Sequence, residues 1–275
     1  MERIEGYGGV EIAVYEGGHA GAPAILFIHG FSQAAMSWQR QFESPLAEKF
    51  RLIAMDVRGH GASGKPMMAG AYGEAKPYAD DTRAVLDHFA IDRLVLAGWS
   101  MGGNWICDYL RHYGEDRVRG IVLAGATTQQ GTEISAEMFG DAVVAGLGHM
   151  LEADPATNIA GTAAFVRACT AQPLPGDEFE TMLAFNMMVP PEVRAWTLGR
   201  VADNSEVVAE ITVPVLQIHG AEDAVVLPFA GEYTLEGVQH DDKRMILYDG
   251  VGHCAFWEAA DRFNGDLAKF VNKPA

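Results

Sequence analysis

A serine with a glycine two residues away on each side, Gly98-Trp99-Ser100-Met101-Gly102, is the feature of this 275-residue chain that most directly specifies chemistry. A short apolar run over 94–97 precedes it, and an amphipathic stretch over 102–113, with Ile106, Tyr109 and Leu110 on one face, follows. A strand that turns this sharply into a helix strains the serine backbone. It also leaves no room for side chains at the two flanking positions. The hydroxyl then stands at the strand end, beside the positive end of a helix, where it can serve as a nucleophile toward a carbonyl carbon.

A serine hydroxyl needs a base to take its proton, and the base needs an anion to fix its tautomer. After a nucleophile on such a turn, the acid precedes the histidine in chain order. His253, in Asp249-Gly250-Val251-Gly252-His253-Cys254, occupies the loop after the last expected strand and is the expected base. Asp223, in His219-Gly220-Ala221-Glu222-Asp223, follows the strand expected over 213–218 and is the expected acid. Glu222 would serve chemically but falls one residue short of the Gly-x-x-Asp spacing, and Asp249 is read as a turn former. Gly125-Ala126-Thr127-Thr128, after the preceding strand, offers no carboxylate. Cys254 is read as a buried structural thiol.

Charge developing on the carbonyl oxygen needs aimed N–H donors, each worth roughly 2.7–4 kcal/mol. The N–H of Met101, immediately after the nucleophile, is one candidate. The other is the N–H of Phe31 in His29-Gly30-Phe31, where Gly30 lets the backbone approach closely. His29 and His60 are read as braces of their loops rather than reacting groups. This chemistry needs no cofactor and no metal.

These residues must be carried by a scaffold, and the apolar pattern supplies one. Continuous apolar runs over 24–28, 50–55, 94–97, 120–124, 213–218 and 245–248 read as strands covered on both faces. Helical patterns lie over 38–48, 78–89, 102–113 and 256–271. Residues 10–15 alternate, as an antiparallel edge strand would. Strands alternating with helices predict an α/β fold, a mostly parallel sheet with helices on both faces. The rhythm breaks over 127–209, which is helix-like, rich in Ala, Met and Phe, and too long for a plain crossover. It is expected to be a helical cap inserted into a core made of 1–126 and 210–275.

Composition narrows the function class. The net charge of −17 would repel phosphates and argues against nucleic-acid partners. No stretch approaches the roughly 18 apolar residues of a membrane span, and no secretory leader is visible, so a cytoplasmic protein is expected. Three cysteines without paired spacing do not form a disulfide framework. No signal fixes the oligomeric state.

Together, the elbow, the acid, the base and the turn Asp56-Val57-Arg58-Gly59-His60-Gly61-Ala62-Ser63 resemble the α/β-hydrolase superfamily along essentially the whole chain. Ser37-Trp38-Gln39-Arg40-Gln41 and Ser100-Met101-Gly102-Gly103 are similar to the branch of small bacterial serine esterases and cofactor-free haloperoxidases or perhydrolases. Gly98-Trp99-Ser100 and the expected cap are also similar to capped acyl-homoserine lactone lactonases. The resemblance implies an eight-stranded sheet and hydrolysis of small to medium, mostly apolar esters through an acyl-enzyme. Lactones are the main alternative substrates. A perhydrolase, a carbon–carbon hydrolase or a receptor that kept a hydrolase pocket are lesser ones.

Two departures and a pocket complete the reading. The haloperoxidase-like branch carries a proline shortly after its His-Gly-aromatic motif, whereas this chain has Ser32-Gln33, which argues against efficient peracid formation. Ser100 at the elbow, in place of Asp, argues against dehalogenases and epoxide hydrolases. Phe31 and Trp99, beside the nucleophile and its donors, are expected pocket walls, joined from the cap by Phe139 and Trp196. No cation is singled out to bind a substrate carboxylate, since Arg58, Arg167 and Arg194 all suit solvated faces.

Overall fold

A computed structural model describes residues 1–273, and the side chains of all of these except Ala142, Val143 and Ala145. In chain order the strands are β1 (Glu2–Glu5), β2 (Glu11–Gly18), β3 (Ala24–Ile28), β4 (Arg51–Met55), β5 (Leu94–Trp99) and β6 (Val118–Ala124). There follow β7 (Gln129–Gln130) and β8 (Ala202–Asp203), which pair only with each other, then β9 (Val215–Gly220) and β10 (Lys243–Tyr248). The other eight form one sheet in the order β1-β2-β4-β3-β5-β6-β9-β10. From β4 to β10 all neighbours are parallel, whereas β1–β2 and β2–β4 are antiparallel. Every residue of β3, β5 and β9 is buried, which is why these strands read as unbroken apolar runs.

The helices are α1 (Gln39–Phe42), α2 (Ala75–His88), α3 (Gly102–Tyr113), α4 (Asp141–Leu147), α5 (Pro155–Ala168) and α6 (Gly176–Met187). They continue with α7 (Pro191–Leu198), α8 (Ser205–Ala209), α9 (Pro228–Gly237), α10 (Ala255–Glu258) and α11 (Ala260–Val271). Between β6 and β9 the regular structure is helical apart from the short β7–β8 pair. There α4 packs on α5, α5 on α6, and α8 on α3 and α9. Among the described residues no helix is long and apolar enough to cross a membrane. The three cysteines are buried and unpaired.

Three local expectations are corrected. The alternating segment at 10–15 is not at the edge: β2 lies between β1 and β4, and Ile12, Ala13 and Val14 are all buried. The edge is β1, whose Glu-Arg-Ile-Glu sequence buries only Ile4 and so gave no apolar signal. The helix expected over 38–48 is a 3₁₀ turn (Ala35–Trp38), then α1, then a second 3₁₀ turn (Pro45–Glu48) that begins at the proline, which cannot continue a helix. The one expected over 256–271 breaks at Ala259, φ −123° and ψ 45°, directly after Glu258. Glu258 Oε1 accepts the N–H of Ala171 at 2.8 Å, and Oε2 that of Gly252 at 2.8 Å.

Arg58 and Arg194 also depart from the solvated-face expectation, while Arg167 is exposed and lies over the Phe179 ring. Arg58 forks onto Asp81, Nε to Oδ2 at 2.7 Å and Nη2 to Oδ1 at 2.8 Å, with both side chains fully buried. The pair joins the turn after β4 to α2. Removing one member leaves a buried charge without its partner, which costs about 3–5 kcal/mol. Asp81→Asn is therefore expected to lower the unfolding free energy in urea by that amount, and a loss under about 1 kcal/mol would show that the pair does not hold this junction.

Candidate active site

The elbow has the expected strain. Ser100 adopts φ 56°, a left-handed conformation that non-glycine residues rarely hold. A Cβ on Gly98 would meet Ile106 Cδ1 at 2.7 Å and the Gly102 backbone at 2.8 Å, and one on Gly102 would meet the Ile28 carbonyl oxygen at 2.6 Å. The turn is pinned from both sides. The Ser100 N–H donates to Ala124 O at 3.1 Å, and the Ser100 carbonyl accepts from Gly103 N at 3.1 Å and Thr127 N at 3.3 Å. Ser100 thus stands where β5 enters α3, held by the end of β6.

Asp223 and His253 meet at this end of the sheet, from the loops after β9 and β10. His253 Nδ1 donates to Asp223 Oδ2 at 2.8 Å, and both side chains are buried. Gly125, at φ 48°, passes so close that a Cβ would lie 3.0 Å from Asp223 Oδ2 and 3.1 Å from His253 Nδ1. Asp223 Oδ1 accepts the N–H groups of Val225 and Val226, each at 2.9 Å. Burial alone would push this carboxyl up, but His253 and the donated hydrogen bonds from His219 and His253 outweigh it and hold the group down to about 2. With its Nδ1 proton committed to Asp223, His253 presents a bare lone pair at Nε2, which is buried and unpartnered. No hydrogen bond joins it to Ser100 Oγ in this structure, a common state of substrate-free sites.

His219 is the residue of this group that sequence reading passed over. Gln217 Nε2 donates to its Nδ1 at 3.0 Å, so its Nε2 carries the proton. That proton is shared between Val226 O at 2.8 Å and Asp223 Oδ2 at 3.1 Å. Its spacing of four from Asp223 was visible, but nothing in a loop sequence says that the two side chains converge.

The expected oxyanion donors, Phe31 and Met101, line the same cavity as Ser100. Gly30 packs so tightly that a Cβ would sit 2.8 Å from Ser100 Cβ and 3.4 Å from Ser100 Oγ. Among the described residues neither Phe31 N–H nor Met101 N–H donates to a protein acceptor. Both histidines nearby are braces. His29 Nε2 accepts the Val57 N–H at 3.0 Å, and His60 Nε2 accepts the Ser32 N–H at 3.2 Å. Burial lowers the His29 pKa to about 4 and that of His60 well below its ordinary value, so both are neutral acceptors at pH 7.

Ser32-Gln33, in the region where the resembling branch carries proline, has its own fastening. Ser32 adopts φ 61°, which no proline could take. Its Oγ accepts from Arg194 Nε at 3.0 Å, and Gln33 Oε1 accepts from Asn186 Nδ2 at 3.2 Å. Arg194 is buried with no carboxylate among its hydrogen-bond partners. Its other donors reach Met150 O, Asn158 Oδ1, Thr162 Oγ1 and Asn186 O at 2.6–3.2 Å. Burial lowers it to about 10, so it remains charged at neutral pH.

A cavity of about 380 Å³ opens on Ser100 and Met101. Phe31, Phe139, Phe165, Leu198 and Val225 supply most of its apolar wall, and no lining side chain is charged. Two expected walls are elsewhere. Trp99 lies against His253, its indole N–H donating to the His253 carbonyl at 3.1 Å and its ring edge-on to Phe256. Trp196 stacks on Tyr72 at 5.8 Å instead of facing the cavity. A larger depression of about 520 Å³, around Arg93 and Glu115, lies at the opposite ends of β5 and β6 and is remote from Ser100.

The chain belongs to the α/β-hydrolase family: the model described as "alpha/beta hydrolase fold" matches residues 23–260. It is 29% identical over 96% of its length to the bifunctional esterase/perhydrolase DCH of Acinetobacter calcoaceticus, likewise covering 96% of that protein. Its fold superposes on the crystal structure of esterase RhEst1 from Rhodococcus sp. ECU1013 with a TM-score of 0.94 and 30% identity, covering 100% of this chain and 99% of the other. Est816, described as an N-acyl homoserine lactone degrading enzyme, shares the fold at a TM-score of 0.77 and 23% identity, covering 98% and 100%.

The environment of Asp223 yields two expectations. Asp223→Asn keeps the shape but removes the anion that fixes the His253 tautomer, so turnover should fall by about 10³–10⁴-fold with little change in fold, as steady-state kinetics would read. The folded-state value near 2 lies below the ordinary 3.8, so the carboxylate stabilises the fold fully above about pH 4 and loses that contribution as pH falls through 2. Unfolding free energies measured from pH 5 to pH 2 should drop by about 2 kcal/mol more in the native protein than in Asp223→Asn. Parallel curves would remove Asp223 from the acid response.

Proposed function

We propose that the protein is a serine esterase acting on small to medium uncharged esters, open-chain or cyclic, with Ser100, His253 and Asp223 as its catalytic triad. The observation that carries this reading is the strained Ser100 opening on an apolar cavity beside a His253 whose Nδ1 is committed to Asp223 and whose Nε2 is free. Relatives that include an esterase/perhydrolase and an esterase support the same reaction class. The absence of charged side chains around the cavity favours neutral substrates.

In this mechanism His253 Nε2 takes the Ser100 proton as Oγ attacks the carbonyl carbon. Negative charge gathers on the carbonyl oxygen, where the N–H groups of Phe31 and Met101 receive it. The imidazolium is held by the ionised Asp223. Collapse breaks the carbon–oxygen bond of the ester, and His253 returns the proton to the departing alcohol. Water, deprotonated by the same Nε2, attacks the acyl-enzyme; collapse releases the acid and restores Ser100. The segment 127–209 acts as a cap, contributing Phe139 and Phe165 to the wall over the nucleophile.

Ser100→Ala should abolish hydrolysis of p-nitrophenyl butyrate, to less than about one part in 10⁴ of native kcat, while the melting temperature stays within a few degrees. Retained turnover in the folded variant would remove Ser100 as the nucleophile.

A further inference from the structure

Asn104, one turn beyond the nucleophile on α3, is buried and lines the same cavity as Ser100. The orientation of its amide is forced by a relay. Arg111 Nη2 donates to Asn204 Oδ1 at 2.9 Å, which fixes the Asn204 amide with its nitrogen on the other side. Asn204 Nδ2 then donates to Thr128 O at 3.0 Å and to Asn104 Oδ1 at 3.1 Å. Asn104 must turn its oxygen to Asn204, so its Nδ2 is left buried without a partner.

The other polar side chains of the cavity wall are already engaged. Thr127 Oγ1 donates to Gln129 O, Gln130 Nε2 to Thr197 O, Thr132 Oγ1 to Gln129 Oε1, and Ser135 Oγ to Thr132 O. Apart from Ser100 itself, Asn104 is thus the side chain of this wall with an uncommitted donor among the described residues. Leaving a buried donor unsatisfied costs about 1–3 kcal/mol, so an occupant that accepts from it gains selectivity over one that does not.

We propose that Asn104 is a specificity-determining residue whose Nδ2 donates to a second, neutral oxygen of the substrate, such as a ketone or amide carbonyl. This rests on the esterase reading. The oxygen lies in the part of the ester that fills the cavity. Asn104 follows Ser100 by four residues, about one helical turn of roughly 5.4 Å, and the acceptor is taken to lie two to four carbons from the scissile carbonyl. A carboxylate is disfavoured there, because no cation lines the cavity to receive it.

The test uses the full chain and matched alkyl esters. One set carries a ketone at the third, fourth or fifth acyl carbon, a second set carries it at the corresponding positions of the alcohol half, and plain esters of equal length serve as references. The quantity read is the ratio of kcat/KM for each ketone ester to its plain reference, compared between native protein and Asn104→Leu, so that intrinsic reactivity cancels. At one ketone position at least, that ratio should be about tenfold higher in the native protein. Ratios that agree within about threefold at every position in both halves overturn the proposal while leaving the esterase reading intact. Should the leucine variant not fold, Asn104→Ala is read on the same ratio. If the native protein turns over no ester at all, the esterase reading falls and this inference with it.

Discussion

The left-handed backbone at Ser100 is the constraint on which the surrounding structure depends. Such a conformation costs a non-glycine residue about 1–3 kcal/mol and persists only where its neighbours over-determine it. Here β5 enters the turn fully paired between β3 and β6, and α3 leaves it with a first turn bonded to the Ser100 carbonyl. Four glycines are packed too closely to admit a Cβ: Gly98 and Gly102 within the turn, Gly30 against the serine, and Gly103 against the Thr127 carbonyl oxygen. Each is a place where one loop must approach another. The loop after β3 and the loop after β6 are therefore part of what holds the strained backbone at residue 100.

Charge is arranged around the cavity rather than in it. Asp223 is sealed behind His253 and Gly125, Arg58 is paired with Asp81, and Asp108 is buried against Arg200. Arg194 is different, because its partners are all neutral oxygens. Four of them, Met150 O, Asn158 Oδ1, Thr162 Oγ1 and Asn186 O, lie between β6 and β9, and a fifth, Ser32 Oγ, lies on the loop after β3. One guanidinium thus ties the helical segment to the loop that carries Phe31. A planar fork with five donors fits this task, whereas a lysine could not reach so many acceptors at fixed angles.

The site was more legible in the sequence than the pocket above it, for a physical reason. Ser100 follows β5 directly and Asp223 and His253 lie in the loops after β9 and β10, so the strand pattern, together with the Gly-x-Ser-x-Gly and Gly-x-x-Asp spacings, singled out three residues that the structure brings to one end of the sheet. The glycines at 98 and 102 carried the turn because sterics admit no other residue there. Trp99 was misjudged as a wall because adjacency in sequence to Ser100 does not say which neighbours its ring meets, and His253 and Phe256 claimed it. Trp196 was misjudged because an aromatic residue on a helix of 127–209 meets either the cavity or its own neighbours, and Tyr72 claimed it. The burial of Arg194 left no local trace at all. Its partners lie 8 to 162 residues away, and no spacing rule links them.

Unpartnered polar atoms by themselves do not mark function in this molecule. Trp38 Nε1, Tyr72 Oη and Gln217 Oε1 are buried and unpaired as well, inside the packed core, where nothing but protein can meet them. His253 Nε2 and Asn104 Nδ2 differ in where they lie, at the Ser100 end of the sheet, with Asn104 on the cavity wall itself. In each, the opposite atom of the same planar group is fixed by a named partner, Asp223 for one and Asn204 for the other. Rotation cannot relieve them without breaking a buried hydrogen bond. A free group held rigid beside a cavity is preorganised, because the protein has met the cost of its desolvation before the ligand arrives. By this criterion the Asn104 amide is a donor already desolvated and held in place on the wall of the cavity that opens on Ser100, whereas the other polar side chains of that wall are spent on protein partners.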